Sequence, residues 1–263
     1  MSLLVKPSGN HGRVLSVTPK SAGWEHVGFE VHRLDPGERI TLPSSDRETC
    51  LVPVIGTFDA QVGERDFRQV GGRQELFSQQ KTDALYVPYQ QTIQIHALDQ
   101  LELAVCTAPG AAGFEPRLIK GSDQANSMRG QGTNTRFIHD VLPETEPAHS
   151  LLVVEVFTPA GNWSSYPPHK HCVDNFPEES ILEETYYHRV NPSQGFVFQR
   201  VYTDSRSLDE TMAVEDGDCV MVPEGYHPVG APHGYDSYYL NVMAGPKRVW
   251  KFKNDPAHEW MLE

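Results

Sequence analysis

Cysteine, basic residues and long apolar runs are all scarce in this chain, and each shortage excludes something. Its 263 residues hold four cysteines, Cys50, Cys106, Cys172 and Cys219, with no Cys-x-x-Cys pair. Scattered so, in a chain not expected to be secreted, they are most simply free thiols. Lys and Arg number 22 against 35 Asp and Glu, a formal charge of −13. That balance argues against nucleic acid or an anionic membrane surface as partner. It leaves room for an acidic small molecule, because a few local Arg or Lys residues decide that. No apolar run reaches membrane-spanning length. The opening Met-Ser-Leu-Leu-Val-Lys has no signal-peptide apolar region, so the expected compartment is the cytoplasm.

What is present is β-patterned. Hydrophobic residues make up 38% and aromatics 10%, with 20 Pro and 21 Gly, as in a globular chain of short strands and turns. Alternating segments read as strands at residues 13–17, 27–32, 50–55, 56–62, 83–88, 92–96 and 101–106. Small and polar residues from 109 to 128 look like a connector. A second series follows at 136–141, 151–157, 184–188, 195–202, 218–222 and 237–243, and the ending suggests a strand at 248–252 and a capping turn. No stretch has a long helical period. Two successive all-β halves, residues 1–125 and 126–263, are expected, each a sandwich or barrel.

The chemistry concentrates in the second half. His169 and His171 flank one residue, so on a strand they share a face. Glu184 follows thirteen residues later, and His227 arrives in Val-Pro-Glu-Gly-Tyr-His-Pro. Three imidazoles and a carboxylate suit a first-row divalent ion. This ordered set resembles the two motifs of the cupin superfamily: Gly161, His169-x-His171 and Glu184, then Gly217-Asp218-x4-Pro223-x-Gly225-x-His227. Two features depart from the usual pattern, the long interval before Glu184 and the single residue between Gly225 and His227. The 5-deoxy-glucuronate isomerases of bacterial inositol catabolism share both. The chain is similar to that family also at residues 162–171, 199–203, 208–210 and 238–246.

The resemblance implies a bicupin whose second barrel holds one divalent ion per chain (Zn or Mn, with Fe or Ni as alternatives) on His169, His171, Glu184 and His227. It implies aldose–ketose isomerisation of a sugar acid, and a homo-oligomer is a further expectation. Glu183 follows the same turn as Glu184; the family pattern favours Glu184 as ligand, and strand parity sets it with Leu182 and Tyr186. Tyr186, Tyr239 and Glu183 are candidates for moving protons, with His188 beside them. Arg200, isolated in an apolar and aromatic strand, is the candidate for gripping the substrate carboxylate, with Tyr226 and Asn241 holding hydroxyls. Lys170 points away from the ligands by parity, and so does Cys172. His233 sits in a turn and is expected to be exposed. The first half has no His-x-His, so His32 and His96 read as ordinary strand residues and that barrel as metal-free. Two other functions use the same ligands: a cupin dioxygenase with Fe or Ni, and a binding protein for sugar acids.

Overall fold

The computed structural model describes Ser2–Leu262, an all-β chain with one four-residue α-helix and four 3-10 turns among the described residues. It divides into two compact units. One comprises the residues up to Lys6, Asn126–His139 and Val154 onward; the other comprises Pro7–Ala125 and Asp140–Val153. Two segments thus lie across the 125/126 boundary drawn from the sequence. The first is explained by an open strand edge: Leu4 and Val5 pair with Val220 and Cys219. The entropy cost of closing so long a loop grows only slowly with its length.

In the first unit, a seven-stranded sheet carries the residues of interest. Its strands are β1 (Leu4–Val5), β2 (Asn126–Arg129), β3 (Arg136–Leu142), β4 (Leu152–Thr158), β5 (Glu183–Asn191), β7 (Cys219–Val222) and β8 (Asp236–Ala244), with β6 (Phe196–Tyr202) belonging to a second sheet. The order across the first sheet is β1-β7-β5-β8-β4-β3-β2. β6 lies between Val229–Gly230 and Asp209–Glu215, in a sheet that also includes Trp163–Ser164. Inside this unit the buried His188 of β5 donates from Nε2 to Gln199 Oε1 of β6, 2.9 Å away, and so ties the two sheets.

On β6 the residues alternate as the sequence requires, with Val197, Gln199 and Val201 inward. The polarity is the reverse of that needed for a substrate grip. Phe198 and Arg200 face out, Phe198 at 48% exposure. The expected strand at 248–252 is absent; Lys253–Asn254 forms a two-residue strand, followed by a 3-10 turn at Pro256–Leu262.

The second unit turns on one 16-residue strand, Arg47–Val62, which pairs with Arg65–Arg73, Ala84–Val87, Ile93–Ala97 and Leu101–Pro109. Two strands were expected there, and Gly56 joins them. Its φ of +94° and the 2.4 Å from a notional Cβ to the Gln100 carbonyl leave room for glycine alone. The interior is filled by apolar chains such as Phe58, Val70, Leu85, Ile95 and Leu103. His32 contacts Glu30 at 3.0 Å.

The irregular stretch after β3 is fastened by a buried carboxylate. Glu48 accepts from the backbone N–H groups of His149, Ser150 and Leu151 at 2.6–2.8 Å, and from the Tyr86 hydroxyl at 2.6 Å. Glu48→Ala strands three buried donors, so a loss of about 3 kcal/mol or more is expected. Denaturant titration should show a lower midpoint with an unchanged slope; an unaltered midpoint would show that water replaces the carboxylate.

Candidate metal centre and cavity

Three ligand groups converge in the first unit. His171, Glu184 and His227 are buried, and one ligand atom from each lies within 4.8 Å of the others. Glu184 Oε2 stands 3.0 Å from His171 Nε2 and 3.3 Å from His227 Nε2. The far side of each imidazole is fixed by the backbone. His171 Nδ1 donates to the Leu182 carbonyl (3.1 Å) and His227 Nδ1 to the Gly225 carbonyl (2.8 Å). A carbonyl can only accept, so Nδ1 carries the hydrogen and Nε2 is left for a ligand. Gly225 makes this possible: at φ +92°, a Cβ there would sit 2.4 Å from the Tyr202 carbonyl oxygen.

These features fit a divalent ion. His227 Nε2 is buried without a hydrogen-bond partner, and an orphaned imidazole nitrogen beside a buried carboxylate is costly unless something binds both. Imidazoles held through Nδ1 by backbone carbonyls are the usual support of metal-ligating histidines. A second His–Asp–Glu group, His11, Asp35 and Glu38, lies on the exposed surface of the other unit. There the imidazole contacts the two carboxylates directly, at 3.2 and 3.9 Å, as in a solvated ion-pair cluster.

Titration states follow from the surroundings. Burial pushes His227 down to about 3 and His169 down to about 3, the latter helped by the neighbouring His171. Both imidazoles are therefore neutral near pH 7. Burial also opposes charge on His171, but the hydrogen bond and charge of Glu184 outweigh it and raise the pKa. Glu184 thus favours the protonated form of His171, with which a metal at Nε2 would compete.

His169 stands at the edge of this cluster. Its ring lies 4.9 Å from that of His227 and 6.5 Å from that of His171, and Phe252 packs on it at 4.6 Å. Its ligand atom is outside the group of three. It faces a cavity of about 490 Å³ that Ser165, Tyr186, Tyr239, Asn241 and Arg136 also line. That volume is ordinary for a small-molecule site. Trp250, Phe252, Met261 and Leu262 border it from the end of the chain.

Strand register sets the cavity wall. Glu184, Tyr186 and His188 alternate along β5, where Tyr186 faces Asn241 and His188 faces Tyr239 on β8. The rings of Tyr186 and Tyr239 are 4.8 Å apart. Ser165 Oγ links their hydroxyls, at 2.9 Å from Tyr186 and 3.4 Å from Tyr239, and Ser165 is held at φ +49°, a conformation costly for a non-glycine residue. Burial and the Glu184 charge raise Tyr186 well above the ordinary range, and burial raises Tyr239 too. Both phenols therefore stay protonated and act as donors. The amide Nδ2 of Asn241 is buried without a partner.

Three residues singled out from the sequence lie elsewhere. Arg200 is half-exposed and gives Asp209 a two-pronged ion pair, both contacts 2.7 Å, so its grip is already occupied. Tyr226 donates to Asp204 at 2.8 Å and packs against Tyr202, outside the cavity. Glu183 takes the face of β5 opposite Glu184 and does not line the cavity. Lys170 pairs with Asp204, His233 is exposed, and none of the four cysteines is in a disulfide. Sequence reasoning missed Ser165 and Arg136. An arginine opening a strand and a serine before Tyr-Pro-Pro carry no signal until the sheets close around them.

The KduI/IolB family model matches residues 3–261. A 5-deoxy-glucuronate isomerase of Geobacillus thermodenitrificans is 55% identical over 252 residues, covering 96% of this chain and 92% of the relative. The crystal structure of an IolB-like protein from Salmonella typhimurium LT2 superposes with a TM-score of 0.98 at 48% identity, covering both chains completely. At 12% identity the likeness is one of fold: a Bacillus subtilis oxalate decarboxylase, studied for its Mn(II) centres, has a TM-score of 0.61 and covers 95% of this chain and 77% of its own. Oxalate decarboxylases of this kind are cupins, and the chain shares their all-β architecture.

Metal content checks the centre. One equivalent per chain is expected, and Glu184→Gln should weaken retention by more than about 100-fold, beyond what loss of a supporting residue costs. Glu183→Gln should leave it nearly unchanged; reversed effects would put the register off by one residue. Metal and proton compete for His171, so affinity should fall as pH drops through the raised His171 pKa. Calorimetry in buffers of different ionisation enthalpy reads that proton directly.

Proposed function

The chain belongs to the KduI/IolB family, and from that premise we propose that it is a metal-dependent 5-deoxy-glucuronate isomerase, converting 5-deoxy-D-glucuronate to 5-dehydro-2-deoxy-D-gluconate. The observation that carries the reading is the buried His171–Glu184–His227 cluster beside a cavity lined by two protonated phenols. His171, Glu184 and His227 would hold the ion with His169 as a fourth ligand, and the ion would be Zn or Mn, with Fe or Ni the alternatives. The substrate is a small sugar acid, and the working compartment is the cytoplasm.

When bound, the divalent ion supplies a Lewis acid that polarises the aldehyde and acidifies the proton on the adjacent carbon. The protein positions and moves protons around it. Tyr186 and Tyr239 donate to the substrate oxygens as negative charge develops there, which is worth most in a site closed to water. Ser165, touching both hydroxyls, lets a proton pass from one phenol to the other. The unpaired Asn241 amide offers a donor to a hydroxyl of the sugar. The Ser165 relay balances the oxygen-bound protons, one substrate oxygen gaining a proton as the other loses one, while the carbon-bound proton passes to a base and from it to the neighbouring carbon, with no hydride shift between them.

Three measurements test the reading. The protein as purified should isomerise 5-deoxy-D-glucuronate without consuming oxygen; oxygen uptake coupled to product would make it a dioxygenase. Turnover in D2O should place deuterium on the former aldehyde carbon, and its complete absence from early product would favour a hydride shift. Tyr186→Phe should lower kcat about 100-fold or more with metal content intact.

A further inference from the structure

Two arginines at the far side of the cavity lack the carboxylate that an arginine in an acidic chain normally finds. Arg129 on β2 and Arg136 on β3 are directly opposite each other in the antiparallel ladder, and both line the cavity. Like charges so placed destabilise a sheet. Burial disfavours the Arg136 charge, and Arg129 disfavours it further. Yet an arginine does not deprotonate, so the positive charge persists in the wall. With 35 acidic residues available, Arg189 and Arg200 of the same unit pair with Asp216 and Asp209. Among the described residues no carboxylate pairs with Arg129 or Arg136. The guanidinium of Arg136 donates to the Asn134 carbonyl (3.1 Å), and that of Arg129 lies over the Trp250 ring, 5.8 Å from its centre.

Their position relative to the ligand cluster adds a length. β3 and β5 are three strands apart in the sheet, with β4 and β8 between them, or about 14 Å along it. The wall between is Val154 and Val156 on β4, then Asn241 and Tyr239 on β8. An arginine side chain and the carbon chain of a sugar acid together span that interval. The polar character runs in sequence from cation, through an apolar strip and an unpaired amide, to phenols and the buried Glu184.

We propose that Arg136, with Arg129 facing it across the ladder, forms the subsite that receives the carboxylate of the sugar acid and so selects acids over neutral aldoses. This rests on the isomerase reading for the substrate's identity, but the anion site itself can be tested without turnover. Bidentate guanidinium–carboxylate contact explains why an arginine, and not a lysine, is placed here.

The probe is D-gluconate, with uncharged D-glucitol as its control, titrated calorimetrically into the metal-loaded full-length protein. Wild type should bind the acid more tightly than the polyol. Arg136→Met should cut gluconate affinity roughly 30-fold or more, leaving glucitol binding and metal content unchanged, and Arg136→Lys should keep part of the preference. Arg129→Met, at an exposed position, should cost a smaller factor and keeps the test available if Arg136→Met does not fold. Equal binding of acid and polyol by wild type, or a preference that survives both Met substitutions, overturns the proposal. An arginine-dependent preference in a protein that leaves 5-deoxy-D-glucuronate unchanged would uphold the subsite and defeat the isomerase reading.

Discussion

A carboxylate buried between two imidazoles is the constraint around which the first unit is arranged. Glu184 is 1% exposed, and an isolated charge at that depth would cost several kcal/mol. Only close partners with fixed orientation make such burial tolerable. The fold supplies them through backbone carbonyls: Leu182 and Gly225 hold the Nδ1 atoms of His171 and His227, so both Nε2 atoms turn toward the same oxygen. The glycine at 225 is part of this constraint, since a side chain there would collide with the backbone at Tyr202.

The buried charge then sets the chemistry of its neighbours. Tyr186 lies on the same face of β5, and the nearby negative charge adds to burial in keeping its phenol protonated. His188, next along that face, is buried among aromatic rings and pushed down to about 4, so it is neutral and serves to tie the sheets through Gln199. The wall therefore presents donors near the ligand cluster and cations at β2 and β3. One sheet face thus carries both the phenols beside the ligand cluster and the two guanidinium groups.

The second unit shows the same strand grammar with opposite contents. Its interior positions are apolar throughout the cluster around Phe58, Ile95 and Leu103, so a hydrophobic core stands where the first unit keeps a polar cavity. One buried carboxylate of this unit, Glu48, is satisfied by three backbone N–H groups and a tyrosine hydroxyl, which leaves its oxygens engaged.

Taken alone, the sequence determined the period-two pattern, the all-β class and the candidate ligands. Strand alternation and the His169-x-His171 spacing are local properties that need no knowledge of neighbours, although His171 itself falls in the break between the strands His169–Lys170 and Cys172–Asn175. Parity placed Glu184 with Tyr186, as found. What parity cannot supply is which of two faces looks inward. Arg200 alternates with buried Val201 as expected, but its face is the solvent face, so it meets Asp209 in place of a substrate. Arg136 and Ser165 are the converse case. Arg136 opens a strand whose neighbour two positions across the sheet, Asp236–Ala244, begins 100 residues later (236 − 136), and Ser165 acquires its role when Tyr186 and Tyr239 arrive from separate strands. Closure of the sheet decides these roles, because burial and contact depend on the summed packing of distant strands.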